Sequence, residues 1–308
     1  MVGSAGQKRV PREFFDVFKV PDFSHDEQIK ISHVLDTLDT TIHQTEAIIE
    51  KLKQVKQGLL HDLLTRGIDA NGELRPPQSE APELYKESAL GWIPKGWNVS
   101  SLKEILAPVD PAMRSGPFGS ALLKDELVSS GYPLLGIDNV QVEHFLAEFS
   151  RFVTEKKFNE LARYAVRPHD LMITIMGTVG RCCTVPKDIG NALSSKHTWT
   201  LTLDQTKYLP TLAMLQINYA PWVLKQFAED EQGGIMSAIR SDTLRKLILP
   251  TPPIEEQHEI ELRLNSITQR IEVESVSLAK AKLEKSGLMD DLLTGRMRVT
   301  PLLESAAA

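Results

Sequence analysis

The 308-residue sequence lacks most features that mark secreted, membrane or metal-binding proteins. Its two cysteines, Cys182 and Cys183, are adjacent, so neither an ordinary structural disulfide nor a zinc knuckle is expected. No apolar run approaches the roughly 20 residues that a transmembrane helix needs. The first residues lack a basic region followed by an apolar core, so no export signal is expected. These absences predict a cytoplasmic protein of a reducing compartment, without a membrane partner.

Catalytic motifs are also missing. A methyltransferase acting on adenine N6 needs an Asn/Asp-Pro-Pro-aromatic loop and a glycine-rich cofactor loop. The proline pairs at 76–77 and 252–253 lack the flanking residues of such a loop. There is no P-loop lysine motif, and the eight histidines are scattered without metal-ligand spacing. Asp290 and Asp291 are interpreted as a solvated helix face. We therefore predict a chain that is not an enzyme and holds neither cofactor nor metal.

The charge balance argues against blanket binding to nucleic acid. The whole chain has a net charge of −6, whereas residues 91–250 contain 17 Lys+Arg and 16 Asp+Glu. A near-neutral region binds DNA only if its basic residues gather on one face.

A helical stretch that occurs twice organises the sequence. Residues 21–65 and 250–294 align without a gap at a spacing of 229 positions (250 − 21), and 15 of the 45 aligned residues are identical. Identity at that level in one register indicates duplication. The first copy opens with a predicted capping box, in which Ser24 and Glu27 satisfy backbone donors of the first turn. A helix over 27–64 would be roughly 55 Å long.

Both copies carry the same heptad pattern. Apolar residues recur at alternating steps of four and three, which keeps one seam facing a partner helix. Polar residues interrupt both seams at matching places, Thr45/Glu274 and Lys56/Lys285. This shared pattern favours a mutually paired coiled coil over two ordinary core helices. The predicted seam residues are Ile31, Leu35, Leu38, Ile42, Leu59, Leu63, Ile260, Leu264, Ile267, Ile271, Leu288 and Leu292.

The remainder of the chain is of mixed character. Short β-like runs at 134–137, 171–175, 182–185 and 198–203 alternate with turns and with helical stretches at 155–163 and 212–227. Because no regular βαβ rhythm is visible, an α+β fold is predicted. Residues 1–20 match, in position and partly in character, the residues that precede the second helix. They are predicted to be the end of an upstream domain whose body is absent.

These boundaries and several motifs resemble the specificity subunits of type I restriction–modification systems. Both helix ends, LLTRG at 63–67 and LLTGR at 292–296, are similar to that family, as is PTPPIEEQ at 250–257. LGWIPKGW at 90–97, SGPFGS at 115–120 and HDLMITIMGTVGR at 169–181 add to the likeness. Such subunits have two target-recognition domains, each followed by a long helix, and the two helices pair antiparallel.

The resemblance implies a fold and an organisation. The fold is α+β, with a mixed target-recognition domain flanked by two long helices that pair as an antiparallel coiled coil. The expected segments are a remnant of an upstream recognition domain (1–20), the first long helix (21–67), a linker (68–89), the recognition domain (90–250), the second long helix (251–297) and a frayed tail (298–308).

The resemblance also implies a function and partners. We expect a non-catalytic subunit that binds one half of a bipartite site in double-stranded DNA. Its helices would dock modification (methyltransferase) subunits and, through them, restriction subunits. A full subunit would carry a complete first recognition domain, so this chain is similar to the C-terminal half. A natural half-subunit, a truncated or split gene product and a fragment all stay open. A homodimer or a separate half-specificity subunit would supply the second half.

Polar and basic loops of the expected recognition domain are candidate DNA contacts. An ordinary glycine-rich turn at 114–116 and a plain surface arginine at the hairpin tip 178–181 are the alternatives at those places. Asn139 and Gln141 could read adenine, or serve as buried structural amides. The predicted DNA-binding residues are Arg114, Ser115, Lys124, Thr178, Arg181, Ser195, Lys196, His197, Ser237 and Arg240.

Two other functions stay open. The chain could be an assembly scaffold or decayed remnant that docks partner subunits without reading DNA. It could also be the recognition subunit of another multi-component restriction system.

Overall fold

The computed structural model describes residues 10–17, 19–177, 179–231 and 239–304. No helix in those ranges combines the length and apolar character that crossing a membrane requires. The helices are α1 (Arg12–Val17), α2 (His25–Thr65), α3 (Glu155–Glu160), α4 (Pro210–Tyr219), α5 (Pro221–Glu231), α6 (Ser241–Lys246), α7 (Ile254–Leu293) and α8 (Thr300–Glu304). The strands are β1 (Tyr85–Ser88), β2 (Gly91–Pro94), β3 (Asn98–Ser101), β4 (Met113–Ser115), β5 (Tyr132–Leu135), β6 (Phe152–Val153), β7 (Leu171–Thr174), β8 (Cys182–Thr184), β9 (Leu193–Ser194), β10 (Thr198–Leu201) and β11 (Ile248–Thr251).

The chain forms two compact units. The first, the helical unit, comprises Met1–Val55 and Ile267–Ala308, and the second, the mixed unit, comprises Lys56–Ser266. Both long helices contribute to both units, because α2 continues past Val55 and α7 begins before Ile267.

In the helical unit α2 and α7 pair in antiparallel fashion. Lys282 forms an ion pair of 2.7 Å with Glu46, and Lys285 forms another with Asp39, so higher numbers on α7 meet lower numbers on α2. The predicted pairing of the two long helices is therefore confirmed. Of the predicted seam residues, Ile31, Leu35, Leu288 and Leu292 pack in one cluster of this unit. Four others belong instead to the core of the mixed unit, namely Leu59, Leu63, Ile260 and Leu264.

Both long helices are shorter than predicted at each end. The prolines at Pro21 and at 252–253 stay outside the helices, because the proline ring is tolerated only in the first turn. At the other ends Gly67 and Gly295 adopt left-handed backbone, with φ of 61° and 74°, as is typical just past a helix end. The predicted capping box is present: Ser24 N donates to Glu27 at 3.1 Å, and Glu27 N donates to Ser24 Oγ at 3.3 Å.

The mixed unit is built on small sheets. A four-stranded antiparallel sheet has the order β4-β10-β7-β8, and a three-stranded sheet has the order β6-β5-β9 with β5 and β9 parallel. Two-stranded pairs join β1 to β2 and β11 to β3. Strand β7 is buried along its whole length, and three of its four residues, Leu171 to Ile173, are apolar. These mixed sheets confirm the α+β class.

All four predicted strands overlap observed ones, namely β5, β7, β8 and β10. The helical stretch predicted at 212–227 is two helices, α4 and α5, divided at Ala220. Pro221 explains the division, because proline disfavours helical backbone in the residue before it.

The segment 68–89 differs from the expected linker. Ile68 pairs with Leu74 in a β-bridge, and the side chains of Ile68 and Tyr85 are buried. Strand β1 lies inside this segment and pairs with β2, so the boundary predicted at residue 90 falls within a hairpin. The prolines and polar residues of this segment predict a linker, because its few buried apolar residues do not stand out in the sequence.

The repeat extends upstream of the long helices. Helix α1 has the bounds of α6 moved by 229 positions, because 12 + 229 is 241 and 17 + 229 is 246. By the same shift residues 19–22 correspond to β11, yet they form no strand. In the mixed unit β11 is held by β3, and within the described residues no such strand faces 19–22.

Candidate nucleic-acid interface

Two loops of the mixed unit lie directly on each other. The loop after β4 begins at Gly116, whose N–H donates to Ser195 O at 3.0 Å, and Ser115 Oγ donates to Lys196 O at 3.3 Å. A methyl group on Gly116 would lie 2.1 Å from Ser194 O, so only glycine permits this approach. The close contact brings the predicted residues Ser115, Ser195 and Lys196 to one place.

A cavity of about 280 Å³ opens between these loops and their neighbours. Its residues combine an apolar wall with four basic side chains, counting the histidine, and include no carboxylate. The lining residues are Pro117, Gly119, Leu122, Leu123, Lys124, Leu127, Leu134, Arg151, Ser195, Lys196 and His197. Four predicted DNA-binding residues, Lys124 and the run 195–197, therefore meet at one site, which we call the basic cavity.

The cations of the basic cavity differ in their partners. Lys124 and Lys196 are exposed, and neither forms an ion pair with any part of the chain that the structure describes. Arg151 pairs with Asp138, which lies outside the lining. Gly136 permits that placement of Arg151, because a Cβ there would lie 2.2 Å from Arg151 Nη2. The two lysines are thus available to an anion.

Ser195 adds an unsatisfied group. Its side chain is buried, and its hydroxyl has no hydrogen-bond partner among the described residues. A buried hydroxyl without a partner is destabilising by about 1–3 kcal/mol. A ligand that reached this hydroxyl would remove that penalty.

Arg114 is placed inside the mixed unit instead of at its surface. Its side chain is 2% exposed and ion-pairs with Asp170, while Nε donates to Ala165 O at 2.7 Å. Burial lowers the pKa of Arg114 and raises the pKa of Asp170, and the attraction between the two charges opposes both shifts. Thr202 donates to Asp170 Oδ1 at 2.6 Å and completes the network. The expected phosphate contact is therefore not available to Arg114 in this structure.

The hairpin between β7 and β8 presents Arg181 beside Gln141. Arg181 Nη1 donates to Gln141 Oε1 at 2.8 Å, and both side chains are half-buried. Arg181 N donates to Thr174 Oγ1 at 3.1 Å, which closes the base of the hairpin. Thr178, also predicted to contact DNA, lies outside the described residues.

Asn139 is a buried structural amide, which is the alternative to a contact with adenine. It is buried, its Oδ1 accepts from Gly136 N at 2.9 Å, and its Nδ2 donates to Leu146 O and Glu148 O, each at 2.9 Å. The amide thus braces a loop and is not free to read a base.

The turn at 141–144 contacts α2 through the side chain of Glu143. Glu143, with a left-handed φ of 62°, ion-pairs with Lys56 at 2.7 Å and accepts from the Tyr219 hydroxyl. Burial and Glu143 raise the pKa of that hydroxyl. The sequence predicts Lys56 as a polar break in the seam. In the structure its ion-pair partner is Glu143 of the mixed unit.

The last predicted contact region is only partly described. Ser237 lies outside the described residues, and Arg240 is exposed immediately before α6. Its neighbour Ile239 is buried, and Ile239 O accepts from Trp199 Nε1 at 2.9 Å. Arg240 is thus anchored through the backbone beside it.

Arg151 was missed by sequence reasoning. It follows a polar loop with no motif, and only the fold brings it to Lys124 and the run 195–197. No pattern in the sequence distinguishes it from other surface arginines.

Metal ligation and thiol chemistry depend on how the side chains of the described residues are grouped and buried. Within them no three His, Cys, Asp or Glu side chains are grouped to hold a metal ion. Both cysteines are buried, and burial raises the pKa of Cys183 to about 12 and the pKa of Cys182 well above its usual range. Neither thiol is a nucleophile near neutral pH.

The sequence is similar to a known protein family. The profile described as "Type I restriction modification DNA specificity domain" matches residues 94–283. The type I restriction enzyme MjaVIII specificity subunit of Methanocaldococcus jannaschii is 25% identical over 300 residues, which cover 96% of this chain and 66% of that protein. The putative type I restriction enzyme MjaX specificity subunit of the same organism is 24% identical over 284 residues, covering 91% and 60%.

Solved structures share the fold. The crystal structure of the HsdS subunit from Thermoanaerobacter tengcongensis aligns with a TM-score of 0.52 at 15% identity, over 87% of this chain and 57% of that one. The type I restriction–modification S subunit from M. genitalium aligns with a TM-score of 0.51 at 14% identity, over 88% and 61%. The chain therefore spans about three fifths of the proteins that it matches.

Proposed function

Since the chain belongs to the family of type I restriction modification DNA specificity domains, we propose that its mixed unit reads one half of a bipartite DNA site. The observation that supports this most is the basic cavity, where Lys124, Lys196 and Arg151 meet without a lining carboxylate. Lys124 and Lys196 form no ion pair with the described residues, and such cations are suited to phosphate oxygens.

Two kinds of contact are proposed. Lys124 and Lys196 bind phosphates and set the register of the protein on the duplex, because a lysine is a point charge that carries no sequence information. Arg181 and Gln141 contact base edges, because arginine pairs with guanine and glutamine with adenine in the major groove. Their mutual hydrogen bond orients both side chains before DNA arrives.

The helices have a separate proposed role. We assign α2 and α7 the docking of modification (methyltransferase) subunits and, through them, restriction subunits. In support, Val273, Val276 and Leu283 are exposed on α7, away from the seam. Exposed apolar side chains that recur along one helix are typical of an interaction surface.

The site is tested by the salt dependence of DNA binding in complex with the modification subunits. Each phosphate contact contributes a slope of about −0.9 to the plot of log affinity against log salt. We expect the double variant Lys124→Ala/Lys196→Ala to reduce the slope by about 1.8, from two such contacts. Lys187→Ala removes an exposed lysine outside the cavity and serves as the control.

Sequence reading is tested by selection from random duplexes at about 150 mM salt, where non-specific contacts are weakened. We expect one enriched motif. A complex that shows no sequence preference under these conditions contradicts the proposal.

A second candidate function is an assembly scaffold that does not read DNA. The exposed apolar residues of α7 favour it, because an apolar surface suits a protein partner better than a nucleic acid. Size-exclusion chromatography with the modification subunits separates the two functions: a stable complex without DNA selectivity supports the scaffold.

A further inference from the structure

Lys56 of α2 has an ion-pair partner that its place in the repeat does not predict. Its counterpart Lys285 (56 + 229) pairs with Asp39 inside the helical unit. The counterpart of Asp39 is Thr268 (39 + 229), which has no carboxylate to offer a lysine. Lys56 pairs instead with Glu143 of the mixed unit, at 2.7 Å. The two copies of the repeat therefore use the same lysine for different contacts, one in each unit.

The pair of Lys56 and Glu143 is shielded from solvent. The two side chains are 17 and 20% exposed, and the Tyr219 hydroxyl donates to the other carboxylate oxygen of Glu143. A shielded ion pair is screened by salt less than a surface pair, and the loss of one partner leaves the other charge poorly solvated. The carboxylate of Glu143 is therefore held in place by one residue of α2 and one residue of α4.

Glu143 has a backbone conformation that glutamate rarely adopts. Its φ of 62° is left-handed, which favours glycine and disfavours residues with a longer side chain. Such a conformation persists where the surroundings hold it, and it is concentrated at functional sites. Here Lys56 holds the side chain, and the backbone N–H donates to Cys182 O at 3.1 Å. A carboxylate is thus present at a position that glycine would occupy with less strain.

Glu143 lies close to both residues that are proposed to contact base edges. Cys182, whose carbonyl accepts the Glu143 N–H, directly follows Arg181. Gln141 belongs to the same turn as Glu143, and its N–H closes that turn by donating to His144 O at 2.9 Å. The Gln141 side chain then accepts from Arg181 at 2.8 Å. Fixing Glu143 therefore fixes the turn that carries Gln141 and, through it, the guanidinium of Arg181.

We infer that Lys56 is a positioning residue for DNA sequence recognition, and that it acts through Glu143. The lysine holds the carboxylate, the turn at 141–144 keeps its shape, and the two side chains that contact bases keep their orientation. This role depends on the base contacts proposed for Arg181 and Gln141. A residue of α2, a helix to which we assign the docking of modification subunits, thereby contributes to how accurately the mixed unit reads DNA.

The first measurement needs no DNA. The side-chain amide signals of Gln141 are followed by NMR in the full chain and are assigned by their absence from Gln141→Ala. We expect Lys56→Met, which removes the charge, to shift these signals, because the turn loses its restraint. Lys56→Arg keeps the charge and is expected to preserve them. Lys53→Met, at an exposed lysine three positions earlier on α2, is the matched control.

The second measurement is base discrimination in complex with the modification subunits. It is the ratio of the affinities for the selected duplex and for a duplex changed at the base pair that Arg181→Ala affects. We expect Lys56→Met to lower this ratio by about 2- to 30-fold, as substitutions that act through intervening residues do, and to leave the salt slope unchanged. Added to Arg181→Ala, it should cause no further loss at that base pair, because the side chain that it positions is already absent.

Glu143→Gly is a second route to the same test. Glycine adopts left-handed backbone without strain, so the turn remains accessible while the carboxylate is lost. We expect the same loss of discrimination as in Lys56→Met, and no further loss when the two substitutions are combined, because both remove one ion pair. A pair that only stabilises the fold would instead lower the unfolding midpoint in urea and leave discrimination and the Gln141 signals unchanged.

Two results would overturn the inference. One is a set of Gln141 signals that Lys56→Met leaves unchanged. The other is unchanged discrimination in Lys56→Met where Arg181→Ala relaxes it, which would leave the proposed base contact standing without this positioning residue. If Arg181→Ala itself changes no base preference, the proposed base contact fails, and the Gln141 signals alone decide whether Lys56 positions the turn.

Discussion

Glu27 and Glu256 occupy equivalent places in the repeat and form the same kind of ion pair. Arg298 donates to both carboxylate oxygens of Glu27, at 2.8 and 2.6 Å, and Arg75 donates to both oxygens of Glu256. Each arginine belongs to the segment that follows the opposite helix. The arginines are not themselves equivalent, because the counterpart of Arg298 is Asp69 (298 − 229). Both copies of the helix therefore form this ion pair, but with arginines at non-equivalent positions.

The Glu27 pair makes the stability of the helical unit depend on pH. The Arg298 hydrogen bonds lower the pKa of Glu27 to about 2, from 4.5 for an unperturbed glutamate. Because the folded pKa lies below the unfolded one, this contribution is complete above about pH 4.5 and is lost as the pH falls towards 2.

The matching measurement is urea unfolding, followed by circular dichroism, of the parent chain and Glu27→Gln. We expect the variant to have a smaller free energy of unfolding than the parent at pH 7, and the difference to vanish towards pH 2. Glu80→Gln, at an exposed glutamate, is the control. A gap that stays constant with pH would show that the carboxylate charge is not involved.

Substitutions at Arg114 and Lys196 are expected to affect different properties, protein stability in one case and DNA binding in the other. Arg114→Met leaves Asp170 buried without its partner, which is destabilising by about 3–5 kcal/mol. Lys196→Ala, at an exposed side chain, should change the free energy of unfolding by less than about 0.5 kcal/mol while weakening DNA binding. Denaturant titrations of both variants decide this. Unchanged stability of Arg114→Met would mean that its guanidinium reaches solvent.

Gly116 should tolerate no side chain. Gly116→Ala places a methyl group against Ser194 O and is expected to destabilise the mixed unit by about 1–3 kcal/mol. Gly96→Ala is the matched control, because no atom lies within 4 Å of its added Cβ and its φ is not positive. Thermal unfolding of both variants, together with DNA binding, tests whether the two loops must touch.

Arg181 should carry base discrimination. Arg181→Ala is expected to relax preference at one base pair by about 1–3 kcal/mol while leaving the salt slope nearly unchanged. Arg163→Ala removes an exposed arginine and is the control. Competition assays with duplexes substituted at each position provide the measurement. A uniform loss across all sequences would instead identify Arg181 as a phosphate contact.

The long helices could be predicted because their signal is local. A heptad over 45 residues specifies a seam, and residues such as Ile31 and Leu292 are buried as the pattern requires. Strand β7 was equally readable, because LMIT is a short apolar run between turns. The sequence predicts α4 and α5 as one helical stretch, because the apolar periodicity continues on both sides of Pro221.

The candidate site was readable only in part. Lys196 and His197 stand in a polar cluster just before the strand predicted at 198–203, which is a local signal. The burial of Arg114 depends on Asp170, which lies 56 positions away, and no spacing rule links the two. Arg151 joins the basic cavity through pairing of β6 with β5, which is also a tertiary effect. The roles of these arginines therefore required the fold.

The antiparallel seam restricts how the coiled coil can change in length. Its apolar residues alternate by four and three, so an insertion of seven residues preserves the packing, whereas one of three or four locally overwinds or unwinds it. Because α2 and α7 face each other in opposite directions, the same insertion must occur in both helices at facing positions. Each such step lengthens the pair by about 10 Å, close to three base pairs of duplex at about 3.4 Å each. The helices can therefore lengthen by whole heptads without disturbing the seam, whereas a shorter insertion changes the local supercoil.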